Sequence, residues 1–400
     1  MNQRFNIVIV GGGIAGLTLA AELATCRHRD SLHITLLDAD ERPRFSIDDD
    51  VALRVSAIAS GSAELLDSVG AWRDVSESRA SPYECMRVWD ENDTPDSGAS
   101  LRFEAAEFAV PQLGFIVENA LLQDALLRQL DRSNVELRFS SPIRSLRQAG
   151  QRYTVDVESG ESHMADLIVG ADGARSFVRT AAGIETRNWP YNQSAFVTHL
   201  RPEQSHRDTA WQRFLRGGPL GLLPLADGRV SAVWSAPPEV VSRALEASDE
   251  GLGQMLTEAS DTVLGELSVA GPRGAFPLGA HHARHYVLPG IALIGDAAHA
   301  IHPLAGQGAN LGLQDAAELA GVIGTALEKG LHPGDLPVLR RYERARKGAN
   351  TTMLHFMTGL NRLFATDSRL VGELRTVGMR IFNRSGPIRE RAVKVALGVG

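Results

Sequence analysis

Cysteine is scarce in this chain of 400 residues: only Cys26 and Cys85 are present. Two thiols so far apart offer neither a disulfide framework nor a metal-ligand cluster. A reducing cytoplasm is therefore expected, no metal site is expected, and both cysteines read as small core fillers. Long apolar runs are missing too. The longest uncharged stretch, Ala297 to Gln314, is broken by His, Gln, Asn and Gly, whereas a membrane span needs ~20 mostly apolar residues. The start, MNQRFNIVIVGGG, does not read as a secretion signal. Internal repeats and low-complexity tracts are absent. So is any interleaving of aromatic and basic residues, and with a net charge of −7 nucleic acid is not an expected partner.

What remains is ordinary for a well-cored globular protein, 44% hydrophobic and 22% charged, and long enough for two domains. The charge is unevenly spread. Residues 340–400 hold 13 Lys or Arg against four acids, a net +9, which leaves −16 for residues 1–339. A basic, helix-patterned tail beside an acidic body suggests contact with an anionic surface, either lipid headgroups or a partner protein. A plain solvated helix face has the same pattern.

Three places carry strand-end chemistry. The first is Asn6–Val10, a β-type run followed by Gly11-x-Gly13-x-x-Gly16, then helix formers through Ala24, then a second strand, Leu32–Leu37, ending at Asp38. This is a βαβ dinucleotide fingerprint in its full context. Gly11 permits the tight turn, Gly13 lets a pyrophosphate approach, Gly16 lets helix and strand pack, and Asp38 can accept from ribose hydroxyls. The second is Leu167–Val169, running into Asp172-Gly173-Ala174-Arg175-Ser176. The third is Ile291–Ile294, ending at Gly295-Asp296. A glycine-rich segment follows it, and then a helix pattern at Ala316, Leu319, Ile323 and Leu327. A helix start there offers unpaired N–H groups and roughly half a positive charge.

Between these, Ser60–Val69 and Ala120–Leu130 read as helices. Val135–Phe139 and Tyr153–Val157 read as strands of one small sheet. Arg54 interrupts the apolar run Val51–Ile58, and two roles are open for it: a ligand edge, or a bridge to one of Asp48, Asp49 and Asp50. From 185 to 280 strand-like runs recur, as in Ala195–Leu200, Trp211–Leu215 and Val230–Trp234, which suggests a sheet domain inserted into the nucleotide-binding one. Gly218–Leu225 could be pocket wall or core. Beyond Leu339 the pattern is helical, with an apolar stripe at Met353, Phe356, Met357, Leu360 and Phe364.

In this order the three motifs resemble the flavoprotein aromatic hydroxylases of the para-hydroxybenzoate hydroxylase type. More narrowly, His302-Pro303-Leu304-Ala305-Gly306-Gln307-Gly308-Ala309-Asn310-Leu311-Gly312-Leu313-Gln314-Asp315 is similar to the signature of the ubiquinone-biosynthesis monooxygenases. LRVSAI (Leu53–Ile58), RAS (Arg79–Ser81), VWD (Val88–Asp90), IVEN (Ile116–Asn119) and RRYERARK (Arg340–Lys347) resemble the branch acting on 2-polyprenylphenol at carbon 6.

The resemblance implies an α/β fold: a Rossmann-type, glutathione-reductase-like FAD-binding domain, an inserted sheet-rich substrate domain and a helical C-terminal tail. It divides the chain into 1–75, 112–182 and 281–340 for FAD, 76–111 and 183–280 for substrate, and 341–400 for the tail. It implies FAD rather than NAD on Gly11, Gly13, Ile14, Ala15 and Gly16, with Asp38 on the adenosine ribose. Arg54, Gln123, Asp172, Gly295 and Asp296 would also meet the cofactor, as would Pro303, Gly306, Gln307, Gly308, Ala309 and Asn310. Catalytic roles would fall to Arg54, Pro303 and His302, and His199 is a second histidine that could serve as a base. The implied reaction hydroxylates a polyprenylphenol-type lipid with O2 through a flavin C4a-hydroperoxide. NAD(P)H, lacking a second fingerprint of its own, would dock transiently. The implied location is cytoplasmic, peripheral at the inner membrane through the basic C-terminal helices. A NAD-dependent dehydrogenase would not need the Gly295-Asp296 motif. A flavin halogenase would carry Trp-x-Trp-x-Ile-Pro, which Trp189-Pro190-Tyr191 does not match. A non-catalytic scaffold subunit is the non-enzyme reading.

Overall fold

A computed structural model of the chain describes residues 4–301 and 307–365, together with 385, 386, 389 and 390. Its organising layer is a six-stranded sheet in the order Val287–Leu288, Ile291–Leu293, Leu167–Gly170, Phe5–Val10, Leu32–Leu37, Glu136–Arg138. All neighbours are parallel except the first pair. Strands covered on both faces read as near-continuous apolar runs. Accordingly Ile7, Ile9, Leu36, Leu37, Ile168, Val169, Ala292 and Leu293 are all buried.

The register decides where the chemistry goes. Val10 lies beside Gly170 and Leu37, and Gly170 lies beside Leu293. All three motifs therefore leave the sheet at one edge, the carboxyl ends of parallel strands, where open α/β sheets bind ligands.

Val135–Phe139 and Tyr153–Val157 do not share a sheet. Glu136–Arg138 joins the parallel sheet beside Leu32–Leu37, while Arg152–Val157 is the centre of a separate three-stranded antiparallel sheet. Alternation along a strand says which face is apolar, not which partner it takes.

The second large layer is an eight-stranded sheet. Its order is His299–Ala300, Leu267–Ala283, Thr186–Pro202, Val230–Ala236, Gly218–Pro224, Thr209–Leu215, Cys85–Asp90, Leu101–Glu104. The helices Pro238–Glu246 and Asp249–Ala259 seal one face, with Leu252 and Leu256 packed over Phe196, Leu200 and Trp234 of the sheet. Gly218–Pro224 is core: Leu220 and Leu222 are both buried in that cluster. A second three-stranded sheet joins Val55–Ala59, Gly114–Glu118 and Ser81–Tyr83.

Two helices bind the layers. Gln307–Glu328 packs on Ile14–Thr25, and Leu336–Ala365 lies across it. Val338, Leu339 and Tyr342 sink into the main core, and further along Met357 meets Val88 and Phe214 of the large sheet. Phe356 from the same stripe is exposed. The side chains of Leu360 and Phe364 lie outside the described residues.

The approach of Gln307–Glu328 to the glycine turn depends on small residues. A Cβ on Gly312 would lie 3.3 Å from the Ala15 Cβ and 3.5 Å from the Gly295 Cα. Gly312→Ala should thus be near neutral. Gly312→Val should cost about 1–3 kcal/mol by overpacking, read as a lower urea midpoint with the slope unchanged.

Candidate functional site: a dinucleotide cavity at the sheet edge

A cavity of about 1110 Å³ runs along the edge where the three motifs meet. It exceeds the ~300–1,000 Å³ of drug-sized ligand pockets, as an extended dinucleotide requires. Gly11, Gly13, Ile14, Ala15 and Asp38 line one end. Arg54, Gln123, Asp172, Gly295, Asp296, Gly308 and Ala309 continue it.

The fingerprint glycines divide by role. Gly11 has φ +111°, and a Cβ there would meet the Ala171 carbonyl at 2.3 Å. Gly16 is buried, and a Cβ would collide with the Gly11 carbonyl. The protein itself needs these two. Gly13 is different: its backbone is extended, at φ −72° and ψ 176°, and a Cβ would meet no protein atom within 4 Å. Nothing in the fold demands glycine there, and the vacant space belongs to the cavity. This is the feature a pyrophosphate would require.

Asp38 accepts from the Gly12 N–H and, at 2.7 Å, from Asp40 N–H. Gln123 donates to the Gly12 carbonyl at 3.0 Å, so the Asn119–Leu130 helix braces the glycine turn. Asp172 lines the cavity, but its carboxylate is engaged locally. One oxygen takes Ser176 Oγ at 2.5 Å and the other takes Val178 N–H at 3.0 Å, starting the short helix Phe177–Ala181. From that helix Arg179 reaches the Ala297 carbonyl at 2.8 Å, tying the second motif to the third.

Asp296 is exposed to the cavity. The protein packed around that part of the cavity raises its carboxyl pKa above the ordinary range, while His299, His281 and Arg54 pull it back. Arg54 faces the same cavity, with its guanidinium 5.5 Å from the Phe276 ring centroid of the large sheet. The aspartate bridge open to Arg54 is taken by Arg229, which pairs with Asp50. Arg54 itself makes no ion pair among the described residues.

Two expected contacts differ. Asn310 is buried and its amide is spent on the neighbouring strand, accepting from Ala59 N–H at 2.9 Å and donating to Ala57 O at 2.8 Å. His199 is fully buried and is not among the cavity-lining residues. Burial, reinforced by Arg229, lowers its pKa and keeps it neutral. His302, Pro303 and Gly306 lie outside the described residues, as does the Gln307 side chain.

The residue that holds the third motif in place was quoted only as the end of a signature. Asp315 is fully buried in the Gln307–Glu328 helix. It accepts from Gly295 N–H at 3.1 Å, His299 Nε2 at 2.5 Å, Arg346 Nε at 2.7 Å and Asn350 Nδ2 at 3.1 Å. Burial alone would raise its pKa, but His299 and Arg346 outweigh burial and hold it below the ordinary range. The signals were in the sequence, as Asp315 within the signature and Arg346 within RRYERARK, but no spacing rule connects them.

Two predictions follow from this geometry. Gly13→Val should keep the thermal stability of the apo protein and lose FAD, measured as flavin co-purified per chain. Arg346→Met should cost ~3–5 kcal/mol at neutral pH by leaving Asp315 without its cation. A depressed carboxylate pKa contributes stability above the unfolded value, about 3.9, and loses it as pH falls through the folded value. The Arg346→Met penalty should therefore shrink below about pH 4, checked by urea denaturation across pH.

The FAD binding domain family matches residues 4–356. The 3-demethoxyubiquinol 3-hydroxylase of Escherichia coli is 36% identical over 401 residues and covers 100% of both chains. The mitochondrial ubiquinone biosynthesis monooxygenase COQ6 of Xenopus tropicalis is 33% identical, covering 98% of this chain and 93% of its own. Among solved structures, Klebsiella pneumoniae HpxO complexed with FAD and uric acid superposes with a TM-score of 0.76 at 17% identity, over 100% of this chain and 98% of that one. This last likeness speaks to fold alone. With the cavity and these relatives together, the chain belongs to the FAD-binding ubiquinone-biosynthesis hydroxylases and is an FAD-dependent monooxygenase.

Proposed function

We propose that the chain hydroxylates the ring of a polyprenylated phenol or quinol in ubiquinone biosynthesis, with O2 as oxidant and NAD(P)H as electron donor. The observation that carries this reading is the single cavity joining the Gly13 turn to the start of the Gln307–Glu328 helix, in reach of one FAD. Bound there, FAD supplies the oxygen chemistry, and the protein supplies position, dryness and field.

The roles of the residues follow from their places. Gly13 and Asp38 receive the pyrophosphate and ribose ends. Asp296, exposed to the cavity within the fields of His299 and Arg54, offers a carboxyl to hydroxyls near the middle of the cofactor. The N–H groups at Gly308 and Ala309 bring the positive end of a 22-residue helix against charge that grows on the ring when it is reduced. Arg54 on the cavity wall and the exposed Phe276 ring 5.5 Å from it offer a cationic and an apolar aromatic surface where the large sheet approaches, which favours an aromatic substrate.

A lipid substrate also calls for a way to reach a bilayer. No helix among the described residues is long and apolar enough to cross a membrane. The Leu336–Ala365 helix instead presents exposed Arg340, Arg341 and Arg344 and an exposed Phe356, a combination that supports peripheral contact with anionic lipid. Arg346 is not part of that surface, being spent on Asp315.

Deleting the gene should make cells accumulate a prenylated precursor lacking one ring hydroxyl, identified by mass spectrometry of extracted lipid. The wild-type gene should restore ubiquinone and Asp296→Ala should not. Normal ubiquinone in the deletion strain would contradict the reading.

A further inference from the structure

Away from the dinucleotide cavity, a cleft of about 440 Å³ opens where the strands Thr186–Pro202 and Leu267–Ala283 meet the Leu336–Ala365 helix. Its walls carry three permanent cations, Arg187, Arg284 and Lys347, against one lining carboxylate, Glu185. Arg284 pairs with Glu185 at 2.9 Å. Lys347 donates to the Arg284 carbonyl and lies 3.9 Å from Glu343. Arg187 makes no ion pair among the described residues, and its guanidinium is held 5.1 Å from the Trp189 ring centroid. A guanidinium without an ion pair among the described residues, set beside an indole and with the Lys347 ammonium on the same cleft, presents donors to an anion.

The floor of the cleft is wired to the flavin site. His282 is buried there, and its Nε2 is hydrogen-bonded to the Tyr286 hydroxyl at 2.9 Å. Asn350 donates to the Tyr286 oxygen at 3.4 Å and to Asp315 at 3.1 Å. Asp315 in turn holds Gly295 N–H and His299. Burial pushes His282 down to about 4, with the nearby His299 and Lys347 adding to the effect. Burial likewise pushes Tyr286 far above the ordinary phenol range. The phenol therefore keeps its proton and the imidazole stays neutral, and the two share one hydrogen bond.

We propose that this cleft is a second ligand site, distinct from the FAD cavity, that binds a phosphate group, and that its occupancy is transmitted through His282, Tyr286, Asn350 and Asp315 to the Gly295 turn. A soluble nucleotide and a lipid headgroup both present such a phosphate, and the arms of the test separate the two. In either case Arg187 meets the charge in competition with water, and Lys347 is shared between the ligand and Glu343.

The test uses the FAD-loaded protein, so that the pyrophosphate cradle is already filled. Inorganic phosphate, ADP, and phosphatidylcholine vesicles with or without phosphatidylglycerol are titrated at fixed ionic strength. Binding is read by thermal shift for the soluble probes and by co-sedimentation for vesicles, with sodium chloride as the charge control. Binding of phosphate or ADP that falls about tenfold or more in both Arg187→Glu and the milder Arg187→Gln assigns a soluble source. Capture by phosphatidylglycerol vesicles alone, lost in the same variants, assigns a headgroup. Tyr286→Phe should leave phosphate affinity intact while abolishing the ligand-induced change in FAD dissociation rate. Binding of neither probe, or binding indifferent to Arg187, overturns the site. A change in FAD dissociation that survives Tyr286→Phe overturns the route.

Discussion

The Asp315 carboxylate is the constraint on which the catalytic end of this protein depends. It is fully buried, and four donors converge on it: Gly295 N–H from the strand-end turn, His299 from the strand that follows, and Arg346 and Asn350 from the Leu336–Ala365 helix. A lone charge there would be costly, so each donor is held in place by the others' need for it. The outcome is positional. The Gly295 turn, the start of the Gln307–Glu328 helix and the first half of the Leu336–Ala365 helix are locked to one another, and with them one wall of the flavin cavity.

The other end of the cavity is held by backbone instead of charge. Gly11 and Gly16 let the first strand, its helix and the Ala171 turn approach closer than any side chain permits. Between the two ends the parallel register brings Val10, Gly170 and Leu293 into line, so three motifs more than a hundred residues apart open onto one edge. The large sheet is sewn to this edge by a short pairing of His299–Ala300 with His281–His282. The same His299 that hydrogen-bonds Asp315 thus fixes where the large sheet meets the cavity edge.

Much of this was legible in the sequence because the information is local. The first βαβ unit follows from a strand, three glycines, a helix and an acid within 38 residues. The strand ends at Gly170 and Gly295 follow from apolar runs that stop at glycine. What was not legible is pairing. Glu136–Arg138 and Arg152–Val157 show similar alternation, but which sheet each joins depends on distant chain. Asn310 looks like a cofactor contact by motif, while its amide closes hydrogen bonds to a strand 250 residues earlier. Arg54 kept two open roles until Arg229 was seen to occupy Asp50. The basic C-terminal segment looked uniform, yet Arg346 is internal and structural while Arg340, Arg341 and Arg344 face outward.

The central claim is that one FAD spans from the Gly13 turn to the start of the Asn310 helix. Crystallising the FAD-loaded protein tests it most directly. The account predicts the adenosine ribose against Asp38, the pyrophosphate over Gly13 and the ring edge at Gly308 and Ala309. Density placing the ring away from Gly308, or the adenosine away from Asp38, would contradict it.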